Sequence, residues 1–173
     1  VNQIVARNGV PYTYDANGNL TNDGQRAYAW DAENRLVGVG YPGSGNSTGF
    51  RYDGLGRRLA IIENTSGAPS EEKRYLWCDD SLCQSRNATD STINRYYVHG
   101  MTSPGGGQMF YGFDQLGSVR STHAPWNGYK FNSYTYSPYG TQTSSQNGGS
   151  TEFGFAGLFF HQRSGLRLAN YRA

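Results

Sequence analysis

The sequence predicts an all-β protein: consecutive antiparallel β-hairpins that form a curved or spiralling sheet. Three observations carry that reading. One short phrase recurs along the chain, each copy holds the chemistry of a tight turn between strand-like runs, and no segment of useful length shows a 3.6-residue apolar stripe. The phrase is an aromatic, then Asp, two variable residues, Gly, and a short run of strand formers. Tyr14-Asp15-Ala16-Asn17-Gly18-Asn19-Leu20-Thr21 is the first copy. Tyr52-Asp53-Gly54-Leu55-Gly56-Arg57-Arg58-Leu59 and Phe113-Asp114-Gln115-Leu116-Gly117-Ser118-Val119-Arg120 repeat it. Trp30-Asp31-Ala32-Glu33-Asn34-Arg35-Leu36-Val37 carries Asn in place of Gly, and Tyr136-Ser137-Pro138-Tyr139-Gly140-Thr141 carries Ser in place of Asp.

Each position has a physical reason. A turn Asp accepts hydrogen bonds from backbone N–H groups two residues on. Gly or Asn three residues after it supplies the positive φ that closes the turn. Asp15, Asp31, Asp53 and Asp114, with Gly18, Gly56, Gly117 and Gly140, are therefore the expected turn residues. Aromatics with alternating neighbours precede the turn, as in Pro11-Tyr12-Thr13-Tyr14, Ala27-Tyr28-Ala29-Trp30 and Tyr134-Thr135-Tyr136. Leu20-Thr21, Arg35–Val39 and Arg58–Ile62 follow it. Period-two patterning in aromatic and β-branched residues marks half-buried strands, so each phrase predicts strand, turn, strand. Tyr14, Trp30, Tyr52, Phe113 and Tyr136 are the expected stacking positions between hairpins.

The long gap between Tyr52 and Phe113 is expected to hold degenerate units, with strands at Glu72–Trp77 and Asn94–Val98. Loops are expected at Tyr41–Gly49, Ser103–Gly107 and Ser144–Ser150, all rich in Gly, Ser or Asn. Phe155–Gln162 is the one place for a short helical turn.

Composition bounds the function. The chain has 173 residues, one domain's worth, with 14% aromatic content, fourteen Tyr and twenty-four Gly. Tyr suits a sheet with one dry and one wet face, because its ring buries while its hydroxyl stays hydrated. Net charge is only +2, with Lys and Arg scattered singly, which is no footprint for nucleic acid or an anionic membrane. No apolar run approaches the roughly 20 residues of a membrane span. Val1 is not an initiator Met and no signal peptide is visible, so a processed or trimmed piece of something longer is expected.

Several motifs resemble chemistry by letter only. Gly38–Gly43 fits a dinucleotide-binding glycine pattern but precedes Ser44-Gly45-Asn46-Ser47, a loop sequence and not a helix start, and is read as a hairpin loop. Gly45–Gly49 fits a nucleophile elbow without the helix that elbow needs. His99, His123 and His161 have no second His or Cys at ligand spacing and read as surface or packing residues. The sequons at Asn19, Asn46, Asn64 and Asn87 are no more than this Asn/Ser/Thr-rich composition yields by chance. The carboxylates are mostly placed in turns, where an Asp accepting N–H bonds is ionised and inert, so no catalytic residue, cofactor or metal is expected.

Cys78 and Cys83 are different. A turn at Asp79-Asp80-Ser81-Leu82 would set them opposite each other at the base of a hairpin, within disulfide reach. Two free thiols, or a metal or redox role, are the alternatives. A disulfide fits an oxidising, extracellular destination and, in so small a ring, locks a tip more than a fold.

These phrases resemble the YD repeats of the Rhs family, related to those of teneurins and of the C component of Tc toxins. The C-terminal third resembles the Rhs repeat-associated core domain through Tyr111–Arg120, Tyr134–Gly140, Phe153-Gly154-Phe155-Ala156-Gly157 and Gly165–Ala173. The division this implies is YD repeats over 1–70 and a core region continuous with the same sheet over 71–173. In the family an Asp-Pro self-cleavage motif and a variable toxin follow the position of Ala173; neither is in this sequence, so no catalytic residue carries over. The resemblance implies a wall segment of a hollow, secreted bacterial shell around a toxin polypeptide, partnered by further repeats of its own polypeptide or by other copies. Two other functions fit the residues. The open sheet edges, with few protecting Lys or Pro, suit a self-assembling extracellular fibre. Exposed aromatics would suit a glycan- or partner-binding module, a reading that burial of Trp77, Trp126 and Tyr139 would exclude.

Overall fold

The computed structural model describes residues 3–145 and 151–169. Two compact units are present, one through Arg74 and one from Tyr75. The first contains β1 (Ala6–Arg7), β2 (Val10–Pro11), β3 (Thr13–Tyr14), β4 (Leu20–Asn22), β5 (Ala27–Trp30), β6 (Leu36–Tyr41), β7 (Asn46–Tyr52) and β8 (Arg58–Asn64). Strand β9 (Glu71–Cys78) runs through the junction. The second unit continues with β10 (Ser81–Asn87), β11 (Thr92–Tyr97), β12 (Gly100–Thr102), β13 (Gln108–Phe113), β14 (Val119–His123), β15 (Lys130–Tyr136), β16 (Gln142–Ser145), β17 (Phe159–His161) and β18 (Leu166–Leu168). Strands β3 to β16 lie in chain order in a long antiparallel sheet without a crossover, while β1–β2 and β17–β18 form pairs of their own. The protein is all-β, a run of hairpins, as the phrase pattern predicts.

The faces of the first unit differ. One row reads Tyr28, Val39, Thr48 and Glu63 across β5 to β8. Val39 and Thr48 are buried there, with Leu36, Phe50 and Ile61. The Thr48 hydroxyl donates to Glu63 at 2.8 Å and lies 2.9 Å from the Tyr41 hydroxyl. The opposite face carries small residues, Ala29-Gly38-Gly49 and Ala27-Gly40-Ser47 in register.

In the second unit Tyr111, Val119 and Tyr134 form a buried cluster, with Met101, Met109, Tyr136 and Phe153 packed against it. Residues 151–169 reinforce it. Phe153 meets Tyr96 edge to face at 5.5 Å, Phe159 meets Tyr75 at 5.7 Å, and Phe155 meets Tyr136 at 5.9 Å. The Tyr96 hydroxyl donates to Glu152, and the Val119 N–H donates to the Gly154 carbonyl at 3.0 Å.

Some expectations need correction. The loop expected over Tyr41–Gly49 contracts to residues 42–45, because Asn46-Ser47-Thr48-Gly49 pairs with Gly38–Tyr41 as strand. Gly38, placed both in the strand run Arg35–Val39 and in the loop Gly38–Gly43, lies with Gly40 inside β6, where small partners on both sides admit them. The helical turn at Phe155–Gln162 reduces to a single 3-10 turn at Phe155–Gly157, followed by β17. Val98 sits in the turn after β11, outside the strand expected to end on it. Part of the loop expected at Ser144–Ser150, residues 146–150, lies outside the described residues, as does the Tyr171-Arg172-Ala173 block.

Candidate functional site

The functional unit is the phrase turn, and one hydrogen-bond pattern defines it. The N–H of the turn's first residue donates to the carbonyl four residues on. The N–H of its fourth residue donates back to the carbonyl of the first. Asp15, Asp31, Asp53, Asp114 and Ser137 all open such turns, with bonds of 2.8–3.1 Å. The fourth residue has positive φ each time: Gly18 at 88°, Asn34 at 58°, Gly56 at 79°, Gly117 at 76° and Gly140 at 81°. This is the three-residue hairpin loop in which a left-handed residue forms a bulge, and the register of the ladder shifts at each one.

The Asp side chain completes the turn. Its Oδ1 accepts two N–H bonds, from Asn17 and Asn19 on Asp15, Glu33 and Arg35 on Asp31, Leu55 and Arg57 on Asp53, and Leu116 and Ser118 on Asp114. In the first unit the fifth residue also returns its side chain to the other oxygen: Asn19 at 2.9 Å, Arg35 at 2.7 Å and Arg57 at 2.8 Å. All four carboxyls are held below the ordinary carboxylate range. The Asn19 side chain does most for Asp15 and the Ser118 N–H for Asp114. At Asp31 and Asp53 partial burial pushes upward, and the hydrogen bonds from Arg35 and Arg57 outweigh it. A carboxylate held ionised in this way is a structural acceptor, not an acid–base catalyst.

The aromatic links one phrase to its predecessor. Trp30 Nε1 donates to the Leu20 carbonyl at 2.7 Å, Tyr52 Oη to Leu36 at 2.8 Å, and Tyr136 Oη to Val119 at 2.8 Å. In each case the acceptor is the residue just past the preceding phrase's turn. Tyr14 Oη donates to the Ile4 carbonyl at 2.8 Å. The Arg35 guanidinium lies 5.2 Å from the Tyr52 ring centre, so the fifth residue of one phrase supports the aromatic of the next. Phe113 has no donor. Its ring is 41% exposed and meets Tyr111 at 6.0 Å and His99 at 6.1 Å.

Further copies of the turn lie outside the phrases. Asn87 opens one with Asp90 at φ 65°, Ser103 another with Gly106 at 92°, and Gly154 a third with Gly157 at 70°. Asn87 Oδ1 accepts the Thr89 and Ser91 N–H groups as the Asp residues do. At Asn87 the signal was an Asn three residues before a residue that tolerates positive φ; Arg86 and Thr102 stand where the aromatic would be, whereas Phe153 precedes Gly154.

Cys78 and Cys83 form a disulfide with Cα atoms 5.7 Å apart. The turn between them is shorter than expected, Asp79-Asp80, because β10 already begins at Ser81. His161 is buried and its Nδ1 lies 2.6 Å from the Ser164 hydroxyl, while His123 lies 2.8 Å from Ser121. Among the described residues there is no group of three or more His, Cys, Asp or Glu that could hold a metal, and no helix long and apolar enough to cross a membrane. The second unit also contains a recess of about 780 Å³, lined by Tyr97, Val98, Met101, Met109, Phe110 and Phe113 among others, with no Lys, Arg, Asp or Glu on its wall.

Residues 30–68 match the RHS Repeat family model, and this window holds two complete phrase turns and the Tyr52–Leu36 stitch. Residues 30–68 are an RHS repeat segment. The chain has distant relatives over most of its length. It is 25% identical over 177 residues to the tRNA3(Ser)-specific nuclease WapA of Bacillus spizizenii and to the tRNA nuclease WapA of Bacillus subtilis strain 168, covering 96% of this chain. The chain spans only 7% of the length of these relatives. Its fold matches the Tc holotoxin pore of Photorhabdus luminescens, which contains TccC3, with a TM-score of 0.68 at 16% identity over 91% of this chain and 9% of that one. The crystal structure of TcdB2-TccC3 gives 0.69 at 16% identity over 92% and 9%.

Proposed function

We propose that this chain is a wall segment of a hollow RHS shell that encloses a cargo polypeptide, and that its own role is structural. The observation that carries the reading is the in-order ladder of phrase turns, with Trp30, Tyr52 and Tyr136 each reaching back to the preceding phrase. Such a ladder grows by adding hairpins and needs no partner but the next hairpin. The likeness to TccC3-containing structures supports a wall built in the same way, and the nuclease named in the WapA relatives is not assigned to this segment. The uncharged recess in the second unit suits the apolar side chains of a cargo held short of its native fold. The Cys78–Cys83 disulfide suits an extracellular destination.

Electron microscopy of the native polypeptide carrying this chain tests the proposal. Closed hollow particles support it; regular filaments would replace the shell with a self-assembling fibre.

A second reading rests on exposure. Trp126 is 71% and Tyr139 95% exposed, and Trp77 is half-buried, so a surface that holds glycans by ring stacking is physically open. Glycan-array binding lost on Trp126→Ala and Tyr139→Ala would favour it.

A further inference from the structure

The Cys78–Cys83 bond and the uncharged recess meet at one place. Ser81, Leu82 and Cys83, the start of β10, stand on the recess wall together with Tyr96, Tyr97 and Met101. The ladder explains why space opens there. Strand β10 pairs with β11 from Gln84 to Arg86, and the buried Ser85 hydroxyl lies 2.9 Å from that of Tyr96. Past Ser85 the two strands part. Tyr96 and Tyr97 of β11 go on to pair with Met101 and Gly100 of β12. Ser81, Leu82 and Cys83 have no partner on β11 among the described residues. Toward its tip, β10 is therefore held by its other neighbour β9 and by the disulfide. Cys78 is exposed, as are Asp79 and Asp80 in the turn, and Cys83 is half-buried. A bond open to solvent thus braces a wall that the ladder supports from one side.

We propose that Cys78–Cys83 is a redox latch on the recess. Closed, it fixes Ser81–Cys83 as a wall that grips apolar side chains; reduced, it lets that wall move about Ser85 and the grip is lost. The reductant is a dithiol, which supplies both electrons. Its thiolate attacks the Cys78 sulfur, the S–S bond breaks, and Cys83 leaves as a thiolate that takes up the proton the reductant gave up. The second thiol of the reductant then displaces Cys78 from the mixed disulfide and closes its own, so the chain ends with two thiols and the reductant with one disulfide. Asp79 and Asp80 beside the bond favour an uncharged dithiol over an anionic thiol. The occupant, the apolar side chains of a cargo polypeptide, rests on the proposed shell and on the uncharged wall. The latch itself does not, so filaments in the microscope would remove the cargo and leave the latch to be tested on its own.

The test is a fluorescence titration of the whole chain with N-phenyl-1-naphthylamine, an uncharged apolar probe, before and after dithiothreitol. Reduction is expected to weaken binding about fivefold and reoxidation to restore it, with the far-ultraviolet circular dichroism unchanged. Amide exchange should quicken at Ser81–Cys83 and stay as it was at Ser85. The chain carrying Cys78→Ser with Cys83→Ser should bind weakly and ignore dithiothreitol. Phe110→Lys, at a wall position 53% exposed, should abolish binding in both states and thereby place the probe in the recess. Equal affinity in the two redox states, absence of binding in both, or a redox-dependent affinity that Phe110→Lys leaves intact would each overturn the proposal. So would loss of the circular dichroism on reduction, since the bond would then hold the fold and not the wall.

Discussion

The first unit and the second contain the same turn but interlock it differently. In the first, every phrase has Asp, a fifth residue that returns to the carboxylate, and an aromatic with a polar hydrogen: Tyr14, Trp30 and Tyr52 all reach back to a carbonyl. In the second, the positions before the turns hold Arg86, Thr102, Phe113, Tyr136 and Phe153, and among the described residues only Tyr136 makes the stitch. There the hairpins are held by the Tyr111–Val119–Tyr134 cluster, by residues 151–169 and by the Cys78–Cys83 bond. The turn is thus the constant element of the repeat, while the link between hairpins is exchangeable. Where the link is a backbone stitch, its signature stays in the sequence. Where it is a core, the signature fades and the uncharged recess opens.

Breaking the core should cost most. Tyr134 is 1% exposed, and Tyr134→Ala is expected to destabilise the second unit by about 3–5 kcal/mol, read by urea denaturation. Two glycines sharpen the comparison next. Gly117 and Gly140 share the positive φ, but a Cβ at Gly117 meets nothing within 4 Å whereas one at Gly140 falls 2.7 Å from the Phe155 ring. Gly117→Ala is expected to cost about 1–2 kcal/mol, the left-handed penalty alone, and Gly140→Ala measurably more. Equal losses would show that Phe155 does not anchor residues 151–169 beside that turn. Opening the disulfide by Cys78→Ser with Cys83→Ser should cost at most about 2 kcal/mol, since the ring is short, with faster amide exchange confined to β9 and β10.

Acid gives a milder probe. Asp15, Asp31, Asp53 and Asp114 all have lowered folded pKa values, so the stability they contribute is present above the unfolded value of about 4 and is lost as pH falls through the folded values. Three of these four carboxylates lie in the first unit. Its amides should therefore lose protection first in a titration below about pH 4; simultaneous loss in both units would contradict the division of labour.

The phrase made much of this legible. Asp and Gly at fixed spacing encode the turn through backbone chemistry that does not depend on neighbours, so Asp31 with Asn34 reads as clearly as Asp53 with Gly56. The stitches were less legible, because the donor on Trp30 or Tyr52 is visible in the sequence while its target carbonyl belongs to no particular side chain. The turn at Asn87 escaped because its aromatic is gone, and Ser103–Gly107 read as a Gly-rich loop without showing that it copies the phrase turn. Gly38 and Gly40 misled for a related reason: glycine marks loops when neighbours are unknown, and only the ladder pairing with Ala29 and Ala27 shows that they lie in a strand.

The most direct test of the account is residue-resolved amide exchange on Tyr52→Phe. The variant keeps the ring and removes one donor, at an expected cost of about 1 kcal/mol. The predicted result is faster exchange at the preceding phrase, around Asn34 and Leu36, with the turn of Asp53 to Gly56 unchanged. Loss confined to the turn of Asp53, or no change at Asn34 and Leu36, would contradict the claim that each hairpin is fastened through the one before it.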